Sequence, residues 1–481
     1  MLDEFPLVGG GTRGVNLHTL VDTAGKLSIF HRQRHLRFPF DVLPGVVQLK
    51  VGFRYRPGQV SGYNNLLTVA LFDPRGLRGA AHRWQQDQTI EIGERVATPG
   101  FLAGPILTGA WECVVDLHEI LNHGVDDDWC EYQLTIEVDI NGPEPRHGVE
   151  PAKDYQHSIG ELHEGWFRGD LHSHTIHCDG SAPANDMAAA AVLAGLDFLA
   201  ITGHNTTSSL EVPPSWPPGL APIRGVELTT FRGHANLLGI DRWYEWRDLP
   251  IADVQRKVRS GGGVFVVNHP AAIGNPWCTG CRWDAPDADL EMVDAIEVWN
   301  GPWANRDSRN GDGLAWWTAL LGAGYRISAV GGGDAHSPSD FSRPGMPITE
   351  VFTTGLSEAA VLGGLQQGNV VVSSGPRLRL TTEDGDPVLP GTDQPEGATF
   401  VAVTELSTSA TLWLVAEGEI DDRHQIEAPG AIVKQLIPAG ARWARWELRA
   451  GGDIGDDLLT VTNPLWQPAR SATAGADDAP R

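Results

Sequence analysis

The sequence is poor in cysteine and in positive charge. Its 481 residues include five cysteines, and 36 Lys and Arg stand against 61 Asp and Glu, so the formal net charge is −25. A small and odd number of cysteines gives no support to a disulfide scaffold. Because sequence-independent nucleic-acid binding needs a basic face, the acidic balance argues against a nucleic-acid partner.

Long apolar runs are missing as well. The sequence has no run of about 18 apolar residues, so we expect no membrane-spanning helix and no membrane partner. The opening residues, Met-Leu-Asp-Glu-Phe-Pro, have neither the basic nor the apolar segment of a secretory signal. We therefore expect a cytoplasmic protein that acts on a small molecule. A homo-oligomer is compatible with the sequence.

The length and the patterning predict more than one domain. Over residues 46–140, short apolar-polar alternations separated by Gly, Pro and Asp clusters predict an antiparallel β-sandwich. After residue 166, strand-like runs alternate with helical stretches, which predicts a mostly parallel α/β barrel or layered sheet. The expected domains are a β-sandwich with its linker at 1–158, an α/β domain at 159–375, a small β domain at 376–468 and a disordered tail at 469–481.

Side chains that can bind divalent metal recur where apolar runs give way to loops. His172 and His174 lie two residues apart at a strand end, so both can reach one ion, and imidazole suits zinc, iron or manganese. Such a pair alone also occurs by chance on surface strands. A metal site is predicted because the pair is followed by further donors in the same strand-end context. The nine candidate donors are His172, His174, Asp179, His204, Glu227, His234, His269, Asp334 and His336.

These motifs together resemble the PHP family of metallohydrolases, over about residues 166–374. They read Gly-Asp-Leu-His-Ser-His-Thr, Leu-Ala-Ile-Thr-Gly-His-Asn, Gly-Val-Glu-Leu, Gly-His-Ala-Asn, Val-Val-Asn-His-Pro and Gly-Gly-Asp-Ala-His. The resemblance implies a PHP-like distorted (β/α) barrel for the α/β domain. With a β-rich region before it and a β tail after it, the layout is most similar to the CehA/McbA-type branch, whose name is tied to carbamate hydrolysis.

The resemblance further implies two to three divalent ions. Two cations a few ångströms apart need a bridging carboxylate, and Glu227 is the natural bridge. Many family members have an acidic residue before the histidine of the second motif, where this chain has Gly203, so we expect the third ion position to be the weakest. The implied ligand sets are His172, His174, Glu227 and Asp334 for the first ion, Glu227, His234 and His269 for the second, and Asp179, His204 and His336 for the third.

Such a site generates a hydroxide near neutral pH, which attacks an electrophilic phosphorus or carbonyl centre. We predict phosphoester hydrolysis first. Hydrolysis of a carbamate or carboxylic ester is the alternative, which the many tryptophans slightly favour, and a non-catalytic metal-stabilised scaffold is a third possibility. The predicted catalytic residues are Glu227, Asp334 and His336, and the predicted substrate contacts, each equally compatible with a structural role, are His177, Trp299 and Asn300.

Cys278 and Cys281 form the one close cysteine pair, just after His269. A lone pair with this spacing is a weak zinc signal. We interpret the two residues first as structural thiols near the metal site. A redox-labile disulfide and an extra metal clip are the alternatives.

Overall fold

The computed structural model describes residues 17–121, 129–140, 145, 163–213, 215–339, 341–395, 398–406, 409–427 and 431–467. The chain divides into two compact units, Met1–Pro151 and Ala152–Arg481. The predicted linker at 141–157, apart from residue 145, and the predicted tail at 469–481 lie outside the described residues. The finer division into a sandwich, an α/β domain and a small β domain stays a prediction.

The described strands of the first unit are antiparallel, and they form two four-stranded sheets and one short two-stranded sheet. Side chains of both four-stranded sheets, such as Leu49 and Leu67, are fully buried in one shared cluster. Two antiparallel sheets around one core is the arrangement that the alternation predicts. The strands are β1 (Leu17–Leu27), β2 (Arg34–Val42), β3 (Gln48–Arg56), β4 (Gln59–Val60), β5 (Tyr63–Asn64), β6 (Leu66–Asp73), β7 (Gly76–Ala81), β8 (Asp87–Gly93), β9 (Gly109–Glu119) and β10 (Cys130–Asp139), and the sheet orders are β1-β10-β3-β8 and β2-β9-β6-β7.

The second unit opens with alternating strands and helices, as predicted. The second helix begins after Pro250 and ends at Gly261, and the fourth is capped by Ser357, whose hydroxyl accepts from the Ala360 amide at 3.1 Å. The elements are β11 (Gly165–Asp170), α1 (Ala184–Leu193), β12 (Phe198–Ile201), β13 (Ala221–Thr229), β14 (His234–Leu238), α2 (Ile251–Ser260), β15 (Val264–Val267), β16 (Ala295–Asn300), α3 (Asn310–Gly322), β17 (Ser328–Gly332), β18 (Ile348–Thr353), α4 (Glu358–Gln366) and β19 (Val370–Ser373).

Short 3-10 helices lie at Ile29–His31, Ser208–Leu210 and Leu290–Met292. The longest described helix is α3, with 13 residues. None of the described helices is both long and apolar enough to cross a membrane.

The strands from β11 to β19 lie in one sheet, in the order β17-β16-β15-β14-β13-β12-β11-β18-β19. The pairs β11–β12, β12–β13, β15–β16 and β16–β17 are parallel, and the other four pairs in this part of the sheet are antiparallel. The expectation of a mostly parallel sheet was therefore wrong, since the sheet is mixed. The main reason is β14, which follows β13 after a loop too short to hold a crossover helix.

The sheet bends so that its β17 edge comes back to β11. A parallel bridge joins Ser173, just beyond β11, to Ala335, just beyond β17. One bridge is less than the ladder that closes a barrel, so the distorted barrel stays a prediction. The bend nevertheless brings the carboxyl ends of these two strands together.

The C-terminal strands continue the same sheet. Strand β27 (Leu458–Thr462) pairs with β19. The Asn463 side chain just beyond β27 accepts from the amide of Ala329 in β17 at 2.8 Å and donates to its carbonyl at 2.9 Å. The order beyond β19 is β27-β26-β23-β24, and a separate sheet has the order β21-β20-β22-β25. The strands are β20 (Arg377–Thr381), β21 (Pro387–Val388), β22 (Thr399–Glu405), β23 (Ala410–Ala416), β24 (Glu419–Ile426), β25 (Ile432–Leu436), β26 (Trp443–Arg449), β27 (Leu458–Thr462) and β28 (Leu465–Trp466).

Candidate metal centre

One edge of the mixed sheet carries all nine predicted donors. Parallel strands bring their carboxyl ends to one edge, and His204 and His269 follow β12 and β15 there. Because β14 runs antiparallel, its first residue, His234, lies at the same edge, opposite Thr229 at the end of β13. We call this set of nine donors the donor edge.

The bridge between Ser173 and Ala335 explains how the two ends of the motif series meet. His172 and His174 flank Ser173, so they lie beside the residues that flank Ala335. The Nε2 atom of His174 is 2.9 Å from Asp334 Oδ1, and that of His172 is 3.4 Å from the same oxygen. Residues more than 150 positions apart in the sequence thus share one site.

Glu227 lies at the centre of the donor edge and is 1% exposed. One oxygen, Oε2, is 2.9 Å from His204 Nδ1, and the other, Oε1, is 3.2 Å from His234 Nδ1. Three further histidine nitrogens lie 3.3 to 3.4 Å from the carboxylate, those of His172, His174 and His269. One carboxylate surrounded by five imidazoles has the position expected of a bridge between ions.

The donor atoms form four overlapping groups, in each of which all atoms lie within 4.8 Å of one another. The division differs from the ligand sets that the resemblance implies, because His174 joins the third set and His269 lies with His172 and Asp334. All nine predicted donors belong to at least one group. The groups are His174, Asp179, His204 and His336; His172, His269 and Asp334; His172, His174 and Glu227; and His204, Glu227 and His234.

Several donor atoms are buried without a hydrogen bond of acceptable geometry. They include Nε2 of His172, His174 and His234 and Oδ1 of Asp179. Burying an unpaired polar atom costs free energy, so a native fold rarely leaves several together. Imidazole nitrogen and carboxylate oxygen are ligands for zinc, manganese and iron. The residues therefore fit divalent ions.

Charges at the donor edge compensate one another. Burial alone would raise the pKa of Asp179, Glu227 and Asp334, but the surrounding histidines hold each pKa well below its ordinary value. Burial, helped by His336 and His204, lowers the pKa of His174 to about 4. The three carboxylates are thus ionised and His174 is neutral. Although burial lowers the pKa of His172, His204, His269 and His336, the neighbouring carboxylates raise each of these four pKa values, so a binding metal ion would displace protons from these imidazoles.

The donor edge is open on one side. The side chains of His336 and Asp334 are 38% and 26% exposed, whereas those of the other seven donors are at most 9% exposed. Asp334 also has a positive φ of 48°, and His269 one of 25°, values that residues other than glycine adopt rarely. Strained backbone of this kind collects at functional sites.

Three residues that support the donors were missed in the sequence. Asn268 donates to Glu227 Oε1 at 2.9 Å. Buried Asp170 accepts from the amides of His172, Gly333 and Gly345 at 3.0, 2.9 and 2.8 Å, and burial outweighs these bonds and raises its pKa to about 6. The third is Glu297 of β16. The available signal was an acidic residue in or at the end of a strand, inside β16 for Glu297 and at the last position of β11 for Asp170.

The predicted substrate contacts lie in different surroundings. Trp299 is 1% exposed and packs on Trp303, with ring centroids 5.1 Å apart. Asn300 is buried, and its Nδ2 lies 3.4 Å from Asp334 Oδ2. His177 is half-buried, with Nδ1 2.8 Å from the Ser208 hydroxyl. Contact of these residues with a substrate stays a prediction.

The cysteine pair lies against the donor edge. Cys278 and Cys281 are joined by a disulfide, with Cα atoms 5.5 Å apart. The main-chain carbonyl of Cys281 is 3.0 Å from Nδ1 of His269, which must donate because a carbonyl only accepts. This bond leaves Nε2 of His269 as its metal-facing nitrogen.

No family model and no curated protein matches the chain. One similar solved structure is a two-domain protein from Bacteroides vulgatus that contains a predicted PHP-like metal-dependent phosphoesterase. It is 17% identical to this chain, the match covers 66% of this chain and 100% of that one, and the TM-score is 0.39. Another is a "putative metal-dependent phosphoesterase" from Bifidobacterium adolescentis, with 18% identity, 36% and 88% covered, and a TM-score of 0.26. These TM-scores are too low for either likeness to carry an argument.

Proposed function

We propose that this protein is a metal-dependent hydrolase that uses a metal-activated water at a site of two to three divalent ions. The observation that carries the proposal is the set of buried, unpaired nitrogen and oxygen atoms facing the ionised Glu227. A structural metal site needs one closed set of about four ligands. Four overlapping groups built from nine donors exceed that need, which argues against a purely structural scaffold.

The bound ions would lower the pKa of a coordinated water and stabilise the oxyanion that develops during attack. Glu227 is positioned to bridge ions, and the deep histidines to hold them. Asp334 and His336 are the donors that reach solvent, so they are the ones that substrate and water meet. We assign the catalytic roles to Glu227, Asp334 and His336 on these positions.

The first substrate class that we propose is a small phosphoester. A site with several ions suits in-line displacement at phosphorus, because separate ions can stabilise the attacking and the leaving oxygen. The density of donors around Glu227 supports this class.

A carbamate or carboxylic ester is the second class. Among the described residues, no Lys or Arg lies within ion-pair distance of Asp179, Glu227 or Asp334, and Arg224 is paired with Glu358 at 2.7 Å. Phosphate sites usually include such cations. The Trp283 ring, by contrast, lies so close to Gly233, beside His234, that a Cβ there would be 2.3 Å from it. An aromatic ring beside His234, together with carboxylates that are not paired with Lys or Arg among the described residues, favours a carbonyl substrate.

Hydrolysis of a paired panel separates these possibilities. The protein, stripped and reloaded with Zn²⁺, Mn²⁺ or Fe²⁺, is assayed with p-nitrophenyl phosphate and bis-p-nitrophenyl phosphate against an aryl carbamate and an aryl acetate. The control variants are Glu227→Ala, which removes the bridge, and Glu419→Ala, an exposed glutamate of β24.

Turnover of the phosphates that is lost only in Glu227→Ala supports the phosphoesterase proposal. Turnover of the carbonyl substrates alone moves the protein to the carbamate or ester class. Absence of turnover by protein carrying two or three ions would contradict a hydrolase and favour the scaffold.

A further inference from the structure

Glu297 is the one acidic residue of the fully buried strand β16, which lies between the strands that deliver two of the donors. Strand β16 pairs in parallel with β15 on one side and β17 on the other. His269 follows β15 and Asp334 follows β17. The side chain of Glu297 is 2% exposed. A buried carboxylate in this place has to be held by partners at the donor edge.

Both oxygens of Glu297 contact residues that carry metal donors. Oε1 accepts from Nδ1 of His172 at 3.0 Å, and the donor must be the imidazole because an ionised carboxylate only accepts. Oε2 accepts from the main-chain amide of His269 at 2.9 Å. The bond to His172 leaves its Nε2, a buried nitrogen without a hydrogen bond, as the metal-facing atom. The bond to the amide holds His269 in its strained backbone conformation.

Asn300 extends this support to a third donor. Its Nδ2 donates to Glu297 Oε2 at 3.0 Å and lies 3.4 Å from Asp334 Oδ2. The other end of the amide is fixed, because the Ser308 hydroxyl donates to Asn300 Oδ1 at 2.9 Å. The Asn300 side chain therefore presents its N–H groups to the two carboxylates.

The fit around Glu297 leaves no room for adjustment on the β17 side. A Cβ on Gly332 would lie 2.1 Å from Glu297 Oε1 and 2.5 Å from the Cβ of His172. Glycine at this position lets the carboxylate and the imidazole approach each other. The close packing of β16 against β17 thus fixes the position of the Glu297 carboxylate.

We propose that Glu297 and Asn300 are positioning residues for one particular ion, the one held by His172, His269 and Asp334. Together they contact every member of that donor group. None of the hydrogen bonds of Glu297 and Asn300 described above joins them to the group formed by His174, Asp179, His204 and His336. The inference rests on the proposed function, and it predicts that the ions can be uncoupled by substitutions in β16.

Stepwise metal titration tests the proposal without reference to turnover. Metal-stripped protein is titrated with Co²⁺, with ligand-field absorption recorded for each equivalent, and bound Zn²⁺ per chain is measured after dialysis. In Glu297→Gln we expect the binding step of the ion held by His172, His269 and Asp334 to weaken by about 10- to 100-fold. The step of the ion held by the separate group His174, Asp179, His204 and His336 should stay unchanged. Glu297→Asp, which keeps the charge but shortens the reach, should restore part of the lost affinity.

Thr229→Val is the matched variant at the other side of the donor edge, because the Thr229 hydroxyl lies 2.5 Å from Nδ1 of His204. It should weaken a different step from the one that Glu297→Gln weakens. If Glu297→Gln does not fold, Asn300→Ala must show the same selective loss at smaller amplitude. Unchanged steps, or equal weakening of all steps, in the folded β16 variant would overturn the proposal.

The metal titration and the hydrolysis assay can fail independently, so the positioning role and the proposed function are tested separately. Wild-type protein that binds two or three ions but hydrolyses nothing contradicts the hydrolase and leaves the positioning role standing if one step is lost selectively. Wild-type protein that hydrolyses its substrate, with binding steps unaltered by Glu297→Gln, contradicts the positioning role alone.

Discussion

Two clusters of buried charge lie in the second unit, one at the donor edge and one in strand β26. In β26, Glu447 is 1% exposed, and its carboxylate accepts from Arg445 at 2.7 Å and from Arg449 at 2.9 Å. Further guanidinium N–H groups donate to the Thr318 hydroxyl and to the carbonyl of Asp456. Tryptophan rings lie over both guanidinium groups, 5.1 to 5.8 Å from ring centre to Cζ.

The donor edge has no such internal closure. It combines six histidines with three carboxylates and leaves several buried donor atoms without a hydrogen bond. A buried charge that finds its counter-charge and hydrogen bonds within the chain holds the fold together. Buried donors that converge without satisfying one another are arranged for something that binds. Both clusters are buried, so they differ in whether their charged groups are satisfied within the chain. The groups of the β26 cluster are satisfied, which marks it as structural, and those of the donor edge are not, which marks it as functional.

The largest expected effect is on activity. Glu227→Gln should lower hydrolysis by about 100-fold or more and reduce the number of bound ions, because it removes the charge that five imidazoles surround. The measurements are kcat/KM and metal per chain. Glu447→Gln is the matched substitution in the other cluster, and it should leave metal per folded chain unchanged. Equal loss of metal from Glu227→Gln and Glu447→Gln would contradict the distinction between the functional and the structural cluster.

The second expected effect is a loss of stability when the β26 cluster loses its carboxylate. Glu447→Gln should lower the free energy of unfolding by about 3 kcal/mol, because two buried guanidinium groups lose their counter-charge. Urea unfolding of the chelator-treated protein measures this. In Glu417→Gln, which alters the half-exposed pair with Arg442, the loss should be below about 1 kcal/mol. Similar losses in both variants would mean that the β26 cluster contributes no more than a surface ion pair.

Removal of metal should lower the stability of the protein through the donor edge and not through the β26 cluster. Free Zn²⁺ at 100 times its dissociation constant should stabilise the stripped protein by about 2.7 kcal/mol for each ion bound, since only the folded chain assembles the nine donors. Calorimetry with and without chelator measures the shift. The shift should shrink in Glu227→Gln and persist in Glu447→Gln. A full shift in Glu227→Gln would place the bound ion elsewhere.

The smallest expected effect is a pH dependence of the β26 cluster. Although burial opposes ionisation, Arg445 and Arg449 hold the pKa of Glu447 below its ordinary value of 4.5. A lowered folded-state pKa gives stability that is present above the unfolded-state value and is lost as pH falls through the folded-state value. The stability difference between wild type and Glu447→Gln should therefore narrow from pH 6 to pH 3. A constant difference would contradict the charge argument.

That the nine candidate donors come together could be expected from the sequence because most of them lie next to a recognisable strand. His204 and His269 follow short apolar runs, and parallel strands bring such ends together. The bond of Glu297 to His172 could not be predicted in this way, because the two residues are 125 positions apart and the strand order was not known. The antiparallel insertion of β14 was missed for the same reason, since periodicity gives no information about strand direction.

The β26 cluster escaped prediction for a different reason. Its alternation indicates a strand with one polar face, yet every residue of β26 is buried. Residues of α3 cover the polar face, among them Trp317, which lies under the guanidinium of Arg445, and Thr318. Alternation shows which side chains share a face, but what packs on that face depends on tertiary contacts that the pattern does not contain.

The one-sided exposure of the donor edge has a kinetic consequence. Solvent reaches the donors at His336 and Asp334, while Glu227 and its imidazoles lie beneath them. An ion among the deep donors has to pass the shallow ones on its way in or out. Loading and loss should therefore be ordered, with a chelator removing the shallow ion in a fast phase and the deep ion in a slow one.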